Sequence, residues 1–245
     1  MEFFEECFSE LADLETFDPK VFLPDEEVSK DICGFILALA LIYTDIKNLT
    51  MFYEVILKSK PGGEPKLQKN WGEYAGLVRF LDRLHISILH ELFNLVAREN
   101  NLLNDKYLIN LIHTLNKGAR IAWQALVDAS LKKVSTNKFS EVLMFIRNKI
   151  TFHYDRKIVL KGFEHYINYG RVTREPFISR GYKMVQSRFY FADAAVESYL
   201  LSLSEFDNLD SFFEQVRDLL KNINNSIYDI VINFIQRRGG VFRQV

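Results

Sequence analysis

Apolar residues in this chain recur three and four positions apart over long stretches, and prolines, at 19, 24, 61, 65 and 176, seldom interrupt them. Beyond Pro24, Ser29 or Asp31 can cap a helix carrying Phe35, Leu39, Ile42, Ile46 and Leu49, running to about Lys58. The segment from Lys60 to Lys66 has turn chemistry at nearly every position and reads as a mobile connector. A second long helix is expected from about Trp71 to Asn100, with Leu77, Leu81, Leu84, Ile88, Leu92 and Leu95 as its core stripe. Shorter helices should follow near 105–116, 119–133, 137–150 and 157–169, then from Ala192 to Ser202 and from Asp210 to Gln236. Arg237-Arg238-Gly239-Gly240 ends the last one. Between Gly170 and Phe191 the helical period lapses, so a small β-hairpin or irregular flap is expected near 171–190. Short connections between long helices favour antiparallel neighbours, and the expectation is an all-α antiparallel helical bundle, one helical domain over 1–245, without internal repeats.

Composition narrows the partners. At 48% hydrophobic and 14% aromatic, the 245 residues carry ample apolar surface for a core. The formal charge of -1, from 31 basic and 32 acidic side chains, supplies no global field toward nucleic acid or membrane, so a polyanion must be met by a local patch. That patch has a place: from Arg147 to Arg188 there are ten basic and three acidic residues, net +7, which leaves -8 on the rest. Tyr154, Tyr166, Tyr169, Tyr182 and Tyr190 lie in or near this stretch and can offer stacking surfaces to unpaired bases; a solvated basic face with core tyrosines accounts for the same pattern.

Cys7 and Cys33 fall in helical, hydrophobic contexts and read as buried free thiols of a reducing compartment. The acidic start Met1-Glu2-Phe3-Phe4-Glu5-Glu6 is unlike a secretory signal, and the longest apolar run, Ile32 to Tyr43, is short for a membrane span. A cytoplasmic protein with no membrane partner is the expectation. His85, His90, His113, His153 and His165 lack metal-ligand spacing, and the chain has no phosphate loop, nucleophile elbow or dinucleotide fingerprint, so no cofactor is expected.

What remains is Leu143-Met144-Phe145-Ile146-Arg147-Asn148-Lys149-Ile150-Thr151-Phe152-His153-Tyr154-Asp155. An arginine, a polar residue and a histidine with five residues intervening between arginine and histidine resemble the signature of the HEPN superfamily, over roughly residues 100–170. The resemblance implies a metal-independent endoribonuclease, in some relatives a toxin or abortive-infection effector with an antitoxin or regulatory protein as partner. Arg147, Asn148 and His153 would be catalytic, and Lys149, Tyr154, Arg156 and Lys157 would bind substrate RNA. Residues six apart in an unbroken helix stand about 9 Å along and 120° around the axis, so Arg147 and His153 need a helix break near Thr151 or a second copy. The family's two-fold pairing of motifs supplies the second copy, and a homodimer is expected. One branch of the family carries a tyrosine two residues after the histidine as a target of nucleotide transfer; here that position is Asp155, which puts such regulation in doubt.

Arg79 with His85 has the same spacing and Arg83 with His90 has six residues between, within the four to six that the family signature admits, where about one match is expected by chance. Phe80 and Leu84 occupy the polar position there, so those four residues are expected to be helix-surface or half-buried. A different class of function stays open: a non-catalytic helical module that binds nucleic acid, nucleotide or a partner protein through its basic face. A small-molecule-binding bundle built on the aromatic core is the third reading.

Overall fold

The computed structural model describes residues 12–63, 69–131, 156–169, 178–180, 182–203 and 209–244. The expected helix near 137–150 and residues Arg147, Asn148, Lys149, His153 and Tyr154 lie outside them, as does Cys7. Among the described residues are seven α-helices: α1 (Lys30–Lys58), α2 (Lys69–Arg98), α3 (Lys106–His113), α4 (Lys117–Ser130), α5 (Arg156–Tyr169), α6 (Tyr190–Leu203) and α7 (Leu209–Arg237). The chain is an all-α helical bundle, as its periodicity predicts.

Helix starts follow side-chain chemistry. The Ser29 hydroxyl accepts from the Ile32 N–H at 3.2 Å, so Ser29 rather than Asp31 caps α1. Asp105 caps α3 through the N–H groups of Tyr107 and Leu108, and Asn116 caps α4 through that of Ala119. At the far end, Gly239 takes the left-handed conformation (φ +77°) that closes α7, and its N–H donates to the Gln236 carbonyl at 3.0 Å.

The core is a contiguous cluster drawn from α1, α2, α3, α4 and α7. Ile32, Phe35, Ile36 and Leu39 of α1 meet Ile86, Leu89 and Phe93 of α2, Leu126 of α4 and Ile223, Ile227 and Phe234 of α7, all essentially out of water. Each such side chain contributes about 1.5–3 kcal/mol by burial, so the bundle rests on these stripes rather than on helix propensity. Phe35 and Trp123 meet edge to face at 6.4 Å. By length and composition alone α1 would qualify as a membrane span, yet its inner face is this core. Cys33 is a free thiol within it, and burial pushes its pKa up.

The sequence pattern gave no sign of one feature: Glu15–Thr16 (β1) pairs antiparallel with Arg243–Gln244 (β2). Arg238 fastens this closure, donating to the carbonyls of Val21 at 3.2 Å and Leu23 at 2.7 Å and pairing with Asp25. The flap expected near 171–190 is, among its described residues, a single antiparallel bridge between Ser179 and Arg188, closed by a 3-10 turn at Met184–Gln186.

Helices α5 and α6 pack on each other more extensively than on any other described element. The reason is Gly162: a Cβ there would stand 2.0 Å from the Ala195 carbonyl oxygen, so only glycine lets the two backbones approach this closely. This pair, with the flap that leads into α6, meets the rest of the bundle along α2 and α7.

Candidate functional site

Arg156 and Lys157, the two predicted site residues that fall within the described part of the chain, occupy the first turn of α5, both exposed. No acidic residue shares that turn. Cations at a helix N-terminus oppose the helix dipole by a few tenths of a kcal/mol each, so their presence there is not explained by helix stability. An anion held at that end would reverse the sign. The turn begins three residues after His153.

The arginines of the other two arginine–histidine pairs are committed elsewhere. Arg79 donates to Glu197 at 3.0 Å, to Asp82 at 3.2 Å and to Asp210 at 2.7 Å, joining α2, α6 and α7 through one guanidinium. Burial opposes its charge, but the three carboxylates more than offset this and raise its pKa. Arg217 of α7 reaches the second oxygen of Asp82 at 2.9 Å and lies over the Tyr53 ring at 4.5 Å. Asp82 is 1% exposed; burial raises its carboxyl pKa against the pull of Arg217 and Arg79. Burial also raises that of Glu197, opposed by Arg79.

His85 is fully buried, not half-buried as expected, because it faces inward one turn after Leu81 and sits edge-on to Tyr53 at 5.8 Å. Burial, with the nearby Arg217 cation, pushes its pKa down to about 4. An imidazole walled in and neutral at physiological pH has no access to a phosphodiester. Arg83 pairs with Asp193 at 3.0 Å, so it too serves the contact with α6.

Arg188 completes the junction. Its guanidinium bonds Asp193 at 3.0 Å and Glu73 at 3.3 Å, and it lies in a notch on α2 made by Gly76, where a Cβ would stand 2.2 Å from it. Tyr190 fills the adjoining notch at Gly72 and donates to Glu73 at 3.3 Å. The partners on α2 lie more than a hundred residues away in sequence, and no local pattern announces them. The available signal was Gly72-x-x-x-Gly76, one turn apart on a helix with no other glycine.

The structure thus sorts the basic, tyrosine-rich stretch. Arg188 and Tyr190 are anchors, and Tyr166 is half-buried and stacked on Phe163 at 6.3 Å. Tyr182 is wholly exposed. Tyr154 lies outside the described residues.

A half-open groove of about 350 Å³ between α4 and α7 is lined by Asn116, Ala119, Ile121, Ala122, Asn222 and Asn225, without a titratable group. Among the described residues no three His, Cys, Asp or Glu side chains gather as a metal site. No known family model, curated protein or solved structure shows significant similarity to this chain.

Proposed function

We propose that this chain is a metal-independent endoribonuclease of the HEPN type, acting as a homodimer in the cytoplasm. The observation that carries the reading is the sequence Arg147-Asn148 followed by His153, set in a stretch of net charge +7 within a chain of total -1. Two structural facts support choosing this pair over its rivals. Arg79, Arg83 and His85 are all held in buried or paired roles. The turn that follows the motif displays Arg156 and Lys157 to solvent.

The chemistry uses the substrate's own nucleophile. The 2′-oxygen of RNA attacks the adjacent phosphorus, the bond from phosphorus to the 5′-oxygen breaks, and the ends left are a 2′,3′-cyclic phosphate and a 5′-hydroxyl. The 2′-hydroxyl proton must leave and the 5′-oxygen must gain one. Histidine, with an unperturbed pKa near 6.5, suits both transfers, and His153 would perform them, shared between the imidazoles of two copies. Arg147 would hold the non-bridging phosphate oxygens in its fork of donors as charge builds there, with Asn148 orienting and Lys149 adding to the anion field. Tyr154, Arg156 and Lys157 would hold the flanking RNA. A defence role, as a toxin or abortive-infection protein restrained by an antitoxin or regulatory partner, fits such an activity.

Purified protein should cut unstructured RNA in EDTA, leaving cyclic-phosphate ends, and His153→Ala should abolish cutting while far-UV circular dichroism is unchanged. Equal cutting by the variant would remove the reading. The exposed, acid-free first turn of α5 equally favours a non-catalytic module that binds nucleic acid, nucleotide or a partner protein. That alternative expects RNA binding to survive His153→Ala and no cleavage at any protein concentration.

A further inference from the structure

We infer that the flap residues 178–180 and 182–190 form a grip for single-stranded RNA, with Tyr182 and Phe189 as its stacking platforms and Arg180 and Lys183 as its phosphate contacts. The inference takes RNA as ligand from the proposed function but does not depend on cleavage.

The flap is held firmly. Ser179 and Arg188 exchange both backbone hydrogen bonds, at 2.8 and 3.1 Å. The Gln186 N–H donates to the Lys183 carbonyl at 2.9 Å, and the Lys183 N–H donates to the Gln186 side-chain oxygen at 3.2 Å. Arg188 and Tyr190 then dock the segment into the Gly72 and Gly76 notches of α2, as described above.

A segment anchored this well could turn its large side chains inward, and it does not. Tyr182 is 107% exposed, Met184 88% and Phe189 62%. Arg180 and Lys183 are exposed, and neither is in an ion pair with another described residue. From Ile178 to Ala192 the sequence holds no acid, and with Arg188 paired to Glu73 and Asp193 the displayed cations are Arg180 and Lys183.

The interleaving identifies the ligand class. A lipid surface calls for a contiguous apolar face, whereas here cations flank the ring of Tyr182 in sequence. A polymer that presents a π face and a negative charge at each step matches alternating rings and cations. Phe189 also connects the flap to α5: it meets Phe191 at 5.9 Å, and Phe191 meets Phe163 at 6.1 Å. On α5, Arg156 and Lys161 are exposed as well.

The test uses the full chain and a short, unstructured, fluorescein-labelled 2′-O-methyl oligoribonucleotide, which lacks the attacking hydroxyl and cannot be cut. Fluorescence anisotropy should show binding. Tyr182→Ala with Phe189→Ala should weaken it about tenfold or more, while Tyr182→Trp keeps it. Arg180→Gln with Lys183→Gln should flatten the salt dependence by about 1.4 in log-log slope. Because Tyr182 is wholly exposed, Tyr182→Ala should leave the thermal unfolding midpoint unchanged, so lost affinity is not lost fold. Affinity indifferent to these substitutions overturns the grip. So does binding, through Tyr182, to vesicles containing phosphatidylserine with none to the oligonucleotide. The two readings fail separately. RNA cutting that requires His153, beside flap variants of full affinity, removes the grip and leaves the nuclease. Flap-dependent binding by a protein that never cuts RNA upholds the grip and removes the nuclease.

Discussion

Asp82 and His85 stand three residues apart on α2, both out of water, and they pull stability in opposite directions as pH falls. His85 has its folded pKa pushed down to about 4 from an ordinary value of 6.5, by burial and by Arg217. The unfolded chain therefore takes up a proton near 6.5 while the folded one refuses it until about 4, and stability declines as the pH drops through that window. Asp82 has its folded pKa raised by burial, so the fold takes up that proton first and acidification relieves a penalty there. His85→Gln isolates the first effect. Between pH 7 and pH 5, wild-type protein should lose about 2 kcal/mol relative to the variant in urea unfolding, since each pKa unit is worth about 1.4 kcal/mol. Parallel pH curves for the two proteins would show that His85 titrates normally in the fold. Asp82→Ala should cost about 2 kcal/mol at pH 7 by the same measurement, because it leaves Arg79 and Arg217 short of a partner in a half-buried site. At this scale little of the cluster was legible. A helical period says that Leu81, Asp82 and His85 share a face, but only the fold brings Glu197, Asp210 and Arg217 across to meet them.

Helices were far more legible than contacts between helices. Ser29, Asp105 and Asn116 mark starts because their oxygens satisfy N–H groups that a helix leaves open, a property of a few consecutive residues that any reader of the chain can locate. The ends of α1 and α7 were placed to within a residue by Lys58 before a turn-rich segment and by Arg237 before two glycines. Close approach has no such local signature, and glycines of identical appearance in sequence play opposite parts. Gly34, on the exposed side of α1, has open space where a Cβ would go, so Gly34→Ala should stabilise by about 0.5–1 kcal/mol through helix propensity. Gly162 has backbone there, at Ala195, and Gly162→Ala should destabilise by about 1–3 kcal/mol despite the same gain in propensity. Thermal or urea unfolding of the two variants decides it, and equal effects would mean that α5 and α6 can separate without cost. The candidate site was legible only as chemistry. Five or six residues between arginine and histidine can be counted, but the count alone favours none of the three pairs; only the fold shows that Arg79 and Arg83 serve the junction between α2 and α6 and that His85 is buried against Tyr53.

Across the whole molecule the two kinds of contact divide the described elements into tiers. Helices α1, α2, α3, α4 and α7 share one apolar cluster, whereas α5, α6 and the flap pack chiefly on one another and reach α2 and α7 mainly through Arg79, Arg83 and Arg188, with Val196 of α6 against the cluster. An apolar interface loses free energy in proportion to area as it opens, but an ion-pair junction trades its partners for water and opens at lower cost. Native-state hydrogen exchange should therefore report two levels, with amides of α5 and α6 opening at lower free energy than those of α1 and α7. Arg79 is the pivot, since among the described residues it alone touches acids on α2, α6 and α7. Arg79→Met should accelerate exchange in α5 and α6 about tenfold or more, which corresponds to about 1.4 kcal/mol, and leave the most protected amides of α1 little changed. A uniform acceleration in every helix would instead mean that the bundle opens as one unit. The distinction bears on function because the displayed cations, Arg156 and Lys161 on α5 and Arg180 and Lys183 in the flap, all ride on the less protected tier. Under the proposed reading, a bound RNA strand adds favourable contacts to that tier, so it should slow exchange in α5 and α6 and leave the core helices as they were.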